Sequence, residues 1–259
     1  MAVNMLIYLK KISLAVFILL KSGEDLSLNL HSEESDFIRF NQSKVRQNTF
    51  VKQHELTFIY QCNQRSYKTN ISLTLDFDTD LKTAQNILTH LRKQLVQTDI
   101  NPKFNPIENN GVSEVYKKSN RPSTAEIISI INSTFSDTDL AGFWSSGPLR
   151  QASVNSKGQF HYFENDSFFF DYSLYNGPRA AKGFFSETNW NEKQFLNKAQ
   201  QTKNTLALLT KPQVKVAPKS YATYLEPMAV AEVMGMFYWR ALSRNAFEQG
   251  FSPLKKLQT

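Results

Sequence analysis

The sequence predicts an α+β protein in which a mixed, largely antiparallel sheet is packed with helices. Three observations carry that reading. Several stretches alternate apolar and polar residues with period two, a polar turn joins the two richest of them, and elsewhere the apolar period becomes that of a helix. The chain has 259 residues, 41% of them hydrophobic, which is enough to bury a full core as one large domain or two small ones.

At the N-terminus, Lys10-Lys11 followed by Ile12 to Leu20 imitates the basic and apolar parts of a signal peptide. No small-x-small cleavage pattern follows Leu20, and nine residues are too few to span a bilayer, so the favoured reading is an amphipathic helix ended by Gly23. Leu26 to Leu30, Phe37 to Asn41, Leu56 to Gln61 and Tyr67 to Leu75 then alternate as consecutive, largely antiparallel strands. From Leu81 to Val96 the apolar spacing is helical, with Asp78 or Thr79 placed as the cap.

Residues 101–121 are rich in Pro, Asn and Ser and read as a long surface loop. Helix resumes at Ser123, where Ala125, Ile127, Ile128, Ile131 and Phe135 form an apolar stripe. The richest segment follows, from Asp139 to Tyr175: strand, a turn at Asn155-Ser-Lys-Gly158, strand. In the returning strand Phe160, Tyr162, Phe168, Phe170, Tyr172 and Leu174 share one parity. His161, Asn165, Ser167, Asp171 and Ser173 share the other, interrupted by Phe163 and Phe169. One face belongs to a core, and the other is only partly solvated.

Gly183 to Ser186 adds strand, and Trp190 to Leu209 is helical. Pro212 stops that helix, and the extended run to Pro218 places a domain boundary, with residues 1–211 on one side, a linker at 212–218, and 219–259 beyond. The last segment reads as a short strand, Tyr221 to Leu225, then a helix from Met228 to Phe247 opened by Pro227 and ended by Gly250. That helix is apolar almost all round, so it expects cover on most sides, and the dozen residues after it cannot supply a domain to provide it.

Three strings resemble the TldD/PmbA peptidase family. The first is Gly142-Phe-Trp-Ser-Ser-Gly147 with Asn155 to Gly158, Phe170-Asp-Tyr-Ser-Leu-Tyr175 and Trp190. The second is Glu34 to Asn41 with Lys44-Val-Arg-Gln47, and the third is Ser220 to Pro227. The resemblance implies an N-terminal α/β domain of TldD/PmbA type over 1–211, then the first strand and helix of an incomplete C-terminal domain. The chain looks truncated against that pattern.

In catalytic members of the family the last helix carries His-Glu-x-x-x-His, which supplies zinc ligands and a carboxylate to activate water. Here that helix has no histidine. Glu226, Glu232 and Glu248 are the acids near it, while His31, His54, His90 and His161 stand in separate elements. The chain therefore resembles the PmbA-like branch, whose members lack the zinc motif. The resemblance implies no catalytic residue, no metal ligand and no cofactor in this chain, which would be inactive alone. Zinc is expected in a catalytic TldD-like partner subunit, met through Met228, Val233, Met236, Phe237 and Trp239, with a peptide or unfolded protein as the shared substrate.

Other chemistry fails on spacing. Asp76-Phe-Asp-Thr-Asp80 begins like a calcium loop, but Leu81 stands where glycine belongs and Ile87 where glutamate belongs, so a strand end and helix cap is the better reading. Ser145 and Ser146 do not match a nucleophile elbow. The lone Cys62 excludes an intrachain disulfide framework and fits a cytoplasmic setting, in which the four Asn-x-Ser/Thr sequons are chance. Of the net charge of +7, nearly all belongs to residues 198–259, where nine basic residues face three acidic ones without interleaved stacking aromatics. The alternative to a peptidase subunit is a stand-alone peptide or nucleic-acid binding module; the sequence gives membrane association no support.

Overall fold

The structure is a computed structural model that describes residues 4–100, 104–238 and 241–258. It divides into two compact units, Met1–Pro212 and Gln213–Thr259. The first is the expected α+β architecture: a seven-stranded open sheet with helices on one face. Strand β1 (Asp25–Asn41), β2 (Lys44–Cys62), β3 (Arg65–Ser72), β4 (Val112–Lys117), β5 (Asp139–Asn155) and β6 (Phe160–Asn176) lie in the order β3-β2-β1-β5-β6-β4. Strand β7 (Arg179–Glu187) pairs the second half of β6, beyond the reach of β4. Every pairing is antiparallel except that of β4 with β6.

Turn chemistry fixes these registers. The β1–β2 and β2–β3 hairpins each turn on two residues with positive φ, Gln42 with Ser43 and Asn63 with Gln64. That backbone twist matches the twist of the flanking strands. At the β5–β6 turn Gly158 takes φ +95°, and the Asn155 side chain accepts from the amides of Lys157 and Gln159 at 2.9 and 3.2 Å.

Even-numbered residues of β1, β2, β5 and β6 face the helices, and they build two separate cores. Helix α1 (Met5–Phe17) and α2 (Phe77–Leu95) cover Leu26, Leu28, Phe58, Tyr60, Val154 and Tyr162. Helix α3 (Thr124–Thr134) and α4 (Glu192–Leu209) cover Ile38, Phe40, Trp144, Phe170, Tyr172 and Leu174. Leu9, Ile12 and Val16 of α1 are fully buried, so this segment packs as a core helix. Ser123 and Glu126 cap α3 reciprocally, satisfying two amides that the helix leaves orphaned.

Several expectations need correction. The first two expected strands are one, β1, because the polar run Ser32 to Asp36 continues the ladder instead of turning. The expected loop at 101–121 contains β4, whose six residues are all exposed and so show no burial alternation. Helix α2 is capped by Asp76, which accepts from the Thr79 amide at 2.9 Å, and not by Asp78 or Thr79. Helix α1 ends at Phe17, before Gly23.

In the second unit no strand forms at 221–225, where the backbone finds no ladder partner among the described residues. The expected 228–247 helix is two helices, α5 (Pro227–Tyr238) and α6 (Arg244–Glu248). Ser243 starts the second by accepting from the Ala246 amide at 3.3 Å, and Gly250 follows it with φ +82°.

Candidate functional site

Between the two helix-covered cores the helix-bearing face of the sheet carries charge. Four strands each contribute a polar stretch at the same level: Ser32, Glu34 and Asp36 from β1, Lys52 and His54 from β2, Ser146 and Arg150 from β5, Glu164 and Asp166 from β6. Register aligns them, since Ser32 lies opposite both His54 and Arg150, and Arg150 opposite Glu164. The result is a polar belt crossing the sheet.

Arg150 is its centre. Its Nε donates to Glu164 Oε2 at 3.1 Å and its Nη1 to Glu34 Oε2 at 3.3 Å, bridging carboxylates on both neighbouring strands. Tyr162 donates to the same Glu164 oxygen at 2.8 Å, and Lys52 Nζ stands 3.5 Å from Glu34 Oε1. Arg121, from the segment between β4 and α3, adds a second bridge. It donates to Asp166 at 2.9 Å and to Ser146 Oγ at 3.4 Å, and Ser146 also accepts from Trp144 Nε1 at 3.0 Å. Trp144 belongs to the core of α3 and α4, so the belt is fastened to that core.

His54 is held differently. Its side chain is only 4% exposed; Nδ1 lies 2.8 Å from Ser32 Oγ, and Nε2 has no hydrogen-bond partner, with Glu34 Oε1 at 3.9 Å. A carboxylate on the Nε2 side favours the tautomer with hydrogen there, which leaves Nδ1 to accept from Ser32. Burial lowers the imidazole pKa, and Lys52 and Arg150 push it the same way, against Glu34 and Asp80. The Ser32, His54 and Glu34 sequence invites comparison with a catalytic triad, but Ser32 is 0% exposed and no carbonyl carbon can reach its hydroxyl. The arrangement can bind and orient; it does not present a nucleophile.

A depressed pKa in the folded state ties stability to pH. The unfolded chain takes up the proton first, near pH 6.5, so the His54 contribution is full above about pH 6.5 and is lost as pH falls through the depressed folded value. Urea unfolding of the natural chain should therefore show stability weakening as pH falls below about 6.5. A His54→Leu variant should lose that part of the slope, and an unchanged slope would show that His54 does not titrate in this range.

The sequence-predicted residues fall elsewhere. Met228, Val233, Met236 and Phe237 lie on α5, and Trp239 lies outside the described residues. No residue of α5 is buried, and Met236 and Phe237 are 69% and 42% exposed. The histidines stand apart, His31 in β1, His54 in β2, His90 in α2 and His161 in β6. Among the described residues no three His, Cys, Asp or Glu side chains gather as metal ligands. Asp76 and Asp80 serve α2. The first caps it, and the second, buried, accepts from the Thr74 and Leu75 amides and from the Tyr8 hydroxyl. Ser145 is half-buried on the face opposite the helices, while Ser146 is buried in the belt. The sequence marks no residue of the belt as a site; its only signal there is polar residues interrupting otherwise alternating strands.

No family model and no curated protein matches the chain by sequence. Solved structures match it by fold. A candidate modulator of DNA gyrase from Bacteroides thetaiotaomicron VPI-5482 superposes with a TM-score of 0.71 at 12% identity, over 98% of this chain and 61% of its own. A candidate modulator of a DNA gyrase from Thermotoga maritima MSB8 gives 0.66 at 12%, over 95% and 58%. TldE from Thermococcus kodakarensis gives 0.53 at 9%, over 69% and 44%. This chain shares their fold. At these identities the likeness is one of fold. The chain spans less than two thirds of the length of each of these neighbours. Among the described residues no helix is long and apolar enough to cross a membrane.

Proposed function

We propose that this chain takes part in proteolysis or peptide processing as a non-catalytic subunit beside a zinc-bearing partner of the TldD kind. The observation that carries the reading is α5. Twelve residues, almost wholly apolar, present Met228, Val233, Met236 and Phe237 with no residue buried, and exposed apolar surface of this kind marks an interaction site. The fold shared with TldE supports a partner of that kind, and the scattered histidines of this chain support a reading in which the partner carries the zinc.

The test is recovery of the tagged chain from its own cells, with the metal content of what accompanies it. Co-purification of a longer relative bearing His-Glu-x-x-x-His, with zinc in proportion to that relative, is the expected result. Met236→Asp with Phe237→Asp should reduce the recovered partner about tenfold or more, as truncating central apolar anchors does. Stoichiometric zinc and chelator-sensitive peptide cleavage by the chain alone would overturn the reading. So would recovery of gyrase subunits, or oligonucleotide binding that falls steeply with salt.

A further inference from the structure

Helix α1 has a second side besides the one it buries in the core. Lys10, Ser13, Leu14 and Phe17 recur at i, i+3, i+4 and i+7, so they form one stripe along it. Facing that stripe are Val154 of β5, Phe160 of β6 and the turn between these strands, and the two walls bound a cavity of 400 Å³. Leu14 lines it and is still 64% exposed, so the cavity opens to solvent beside this residue. Leu14, Phe17, Val154 and Phe160 make the lining largely apolar, and its polar side chains are mostly engaged already. The Ser13 hydroxyl donates to the Lys10 carbonyl at 3.2 Å, and Ser156 Oγ accepts from the Leu26 amide at 3.1 Å. Asn155 donates to the Glu108 carbonyl at 2.8 Å, while Gln159 accepts from the Asn110 amide at 3.2 Å and donates to Ser153 Oγ at 3.0 Å. Lys10 differs. Its ammonium has three donors, of which one goes to Glu114 Oε1 at 2.6 Å, and Nζ stands 5.0 Å from the centroid of the Phe160 ring. Two donors therefore stay open beside an apolar hollow, on a charge that Glu114 already answers.

We propose that the cavity between α1 and the β5–β6 turn binds a small neutral amphiphile, its apolar body against Leu14, Phe17, Val154 and Phe160 and a hydroxyl or carbonyl oxygen accepting from Lys10. An apolar pocket with a few polar groups to fix orientation is the usual form of a small-molecule site. The volume admits about a dozen non-hydrogen atoms at the roughly 30 Å³ that a water molecule occupies in the liquid. Glu114 sets the charge of the head group. A carboxylate at Lys10 would stand beside a second anion, and an ammonium would face Lys10 itself, so a neutral acceptor fits best. The inference is independent of the peptidase-subunit reading, which uses none of these residues.

The test is calorimetric titration of the purified chain with 1-hexanol, 1-octanol, 1-decanol and decanoate. Decanol is expected to bind one to one, and each methylene removed from it to weaken binding about fourfold, as burial of the chain requires. Decanoate should bind about tenfold more weakly than decanol, and Glu114→Gln should narrow that gap. Leu14→Lys places a charge on the apolar wall and should weaken decanol tenfold or more. Leu14 is exposed, and lysine suits a helix about as well as leucine, so this variant should melt with the natural chain and its effect then reports binding. Ile18→Lys, 82% exposed and outside the cavity, should leave binding unchanged. Absence of saturable decanol binding, decanoate binding as tightly as decanol, or equal losses in Leu14→Lys and Ile18→Lys would each overturn the proposal, the last by assigning the alcohol to the outer surface of α1. The alcohol series uses the natural chain alone, so it decides the matter even where a variant fails to fold.

Discussion

Gly147→Ala is expected to destabilise the first unit by about 3–5 kcal/mol, more than the 1–3 typical of an overpacked core. Gly147 has φ +151° and stands in β5 beside β1. A Cβ there would fall 2.0 Å from the Glu34 carbonyl oxygen and 2.9 Å from the Ser35 Cα. Both obstacles are backbone, so no rotamer change relieves them, and the central β1–β5 ladder must part. Pro148 follows without an amide hydrogen, which already thins the ladder at this level. Thermal melting followed by circular dichroism should fall by roughly 10 °C or more. Gly177, at φ +55° with nothing within 4 Å, is the control; alanine there should cost about 1–2 kcal/mol through backbone conformation alone. Equal melting of the two variants would show that close approach is not what requires glycine at 147.

This same level of the sheet shows what the sequence makes legible. Parity in β6 is readable because Phe168, Phe170, Tyr172 and Leu174 all lie in the core that α3 and α4 share, and burial writes itself as alternation. Where the strands cross the belt the helix-facing residues become Glu34, Arg150 and Glu164, and the alternation that would announce one strand breaks. Hence β1 reads as two strands, although the polar interruption is itself the candidate site. The belt's members are scattered from Ser32 to Asp166, and only register brings them together, because a one-residue slip would send Arg150 to the other face. Strand β4 is unreadable for a related reason, being exposed on both faces and held by its ladder to β6. Met228 to Tyr238 errs in the opposite direction. Its composition predicts burial, and the structure leaves it open.

Arg92→Met is the second large effect, and its signature is a difference from the natural chain that shrinks as pH falls. Arg92, in the last turn of α2, donates Nε and Nη2 to the two Glu24 oxygens at 2.8 and 2.7 Å and Nη2 also to the Leu19 carbonyl at 2.8 Å. It thereby ties α2 to the segment joining α1 to β1. Burial works to raise the Glu24 pKa, but hydrogen bonds from Arg92, the Lys21 amide and Tyr60 override it and bring it down to about 2. A folded value below the unfolded one contributes stability that is present above about pH 4.5 and lost as pH falls toward 2, on the order of 3 kcal/mol in all. Removing the guanidinium leaves a carboxylate whose side chain is only 8% exposed without its cation, which costs about 3–5 kcal/mol at neutral pH. In the variant the depression that Arg92 supplies is gone, so acidification costs the variant less stability than it costs the natural chain. Urea unfolding at pH 7, 5 and 3 should therefore show the two proteins far apart at pH 7 and converging as the solution is acidified. A difference that stays constant across that range would mean that Arg92 acts through its contact with Leu19 and its packing, and not through the charge on Glu24.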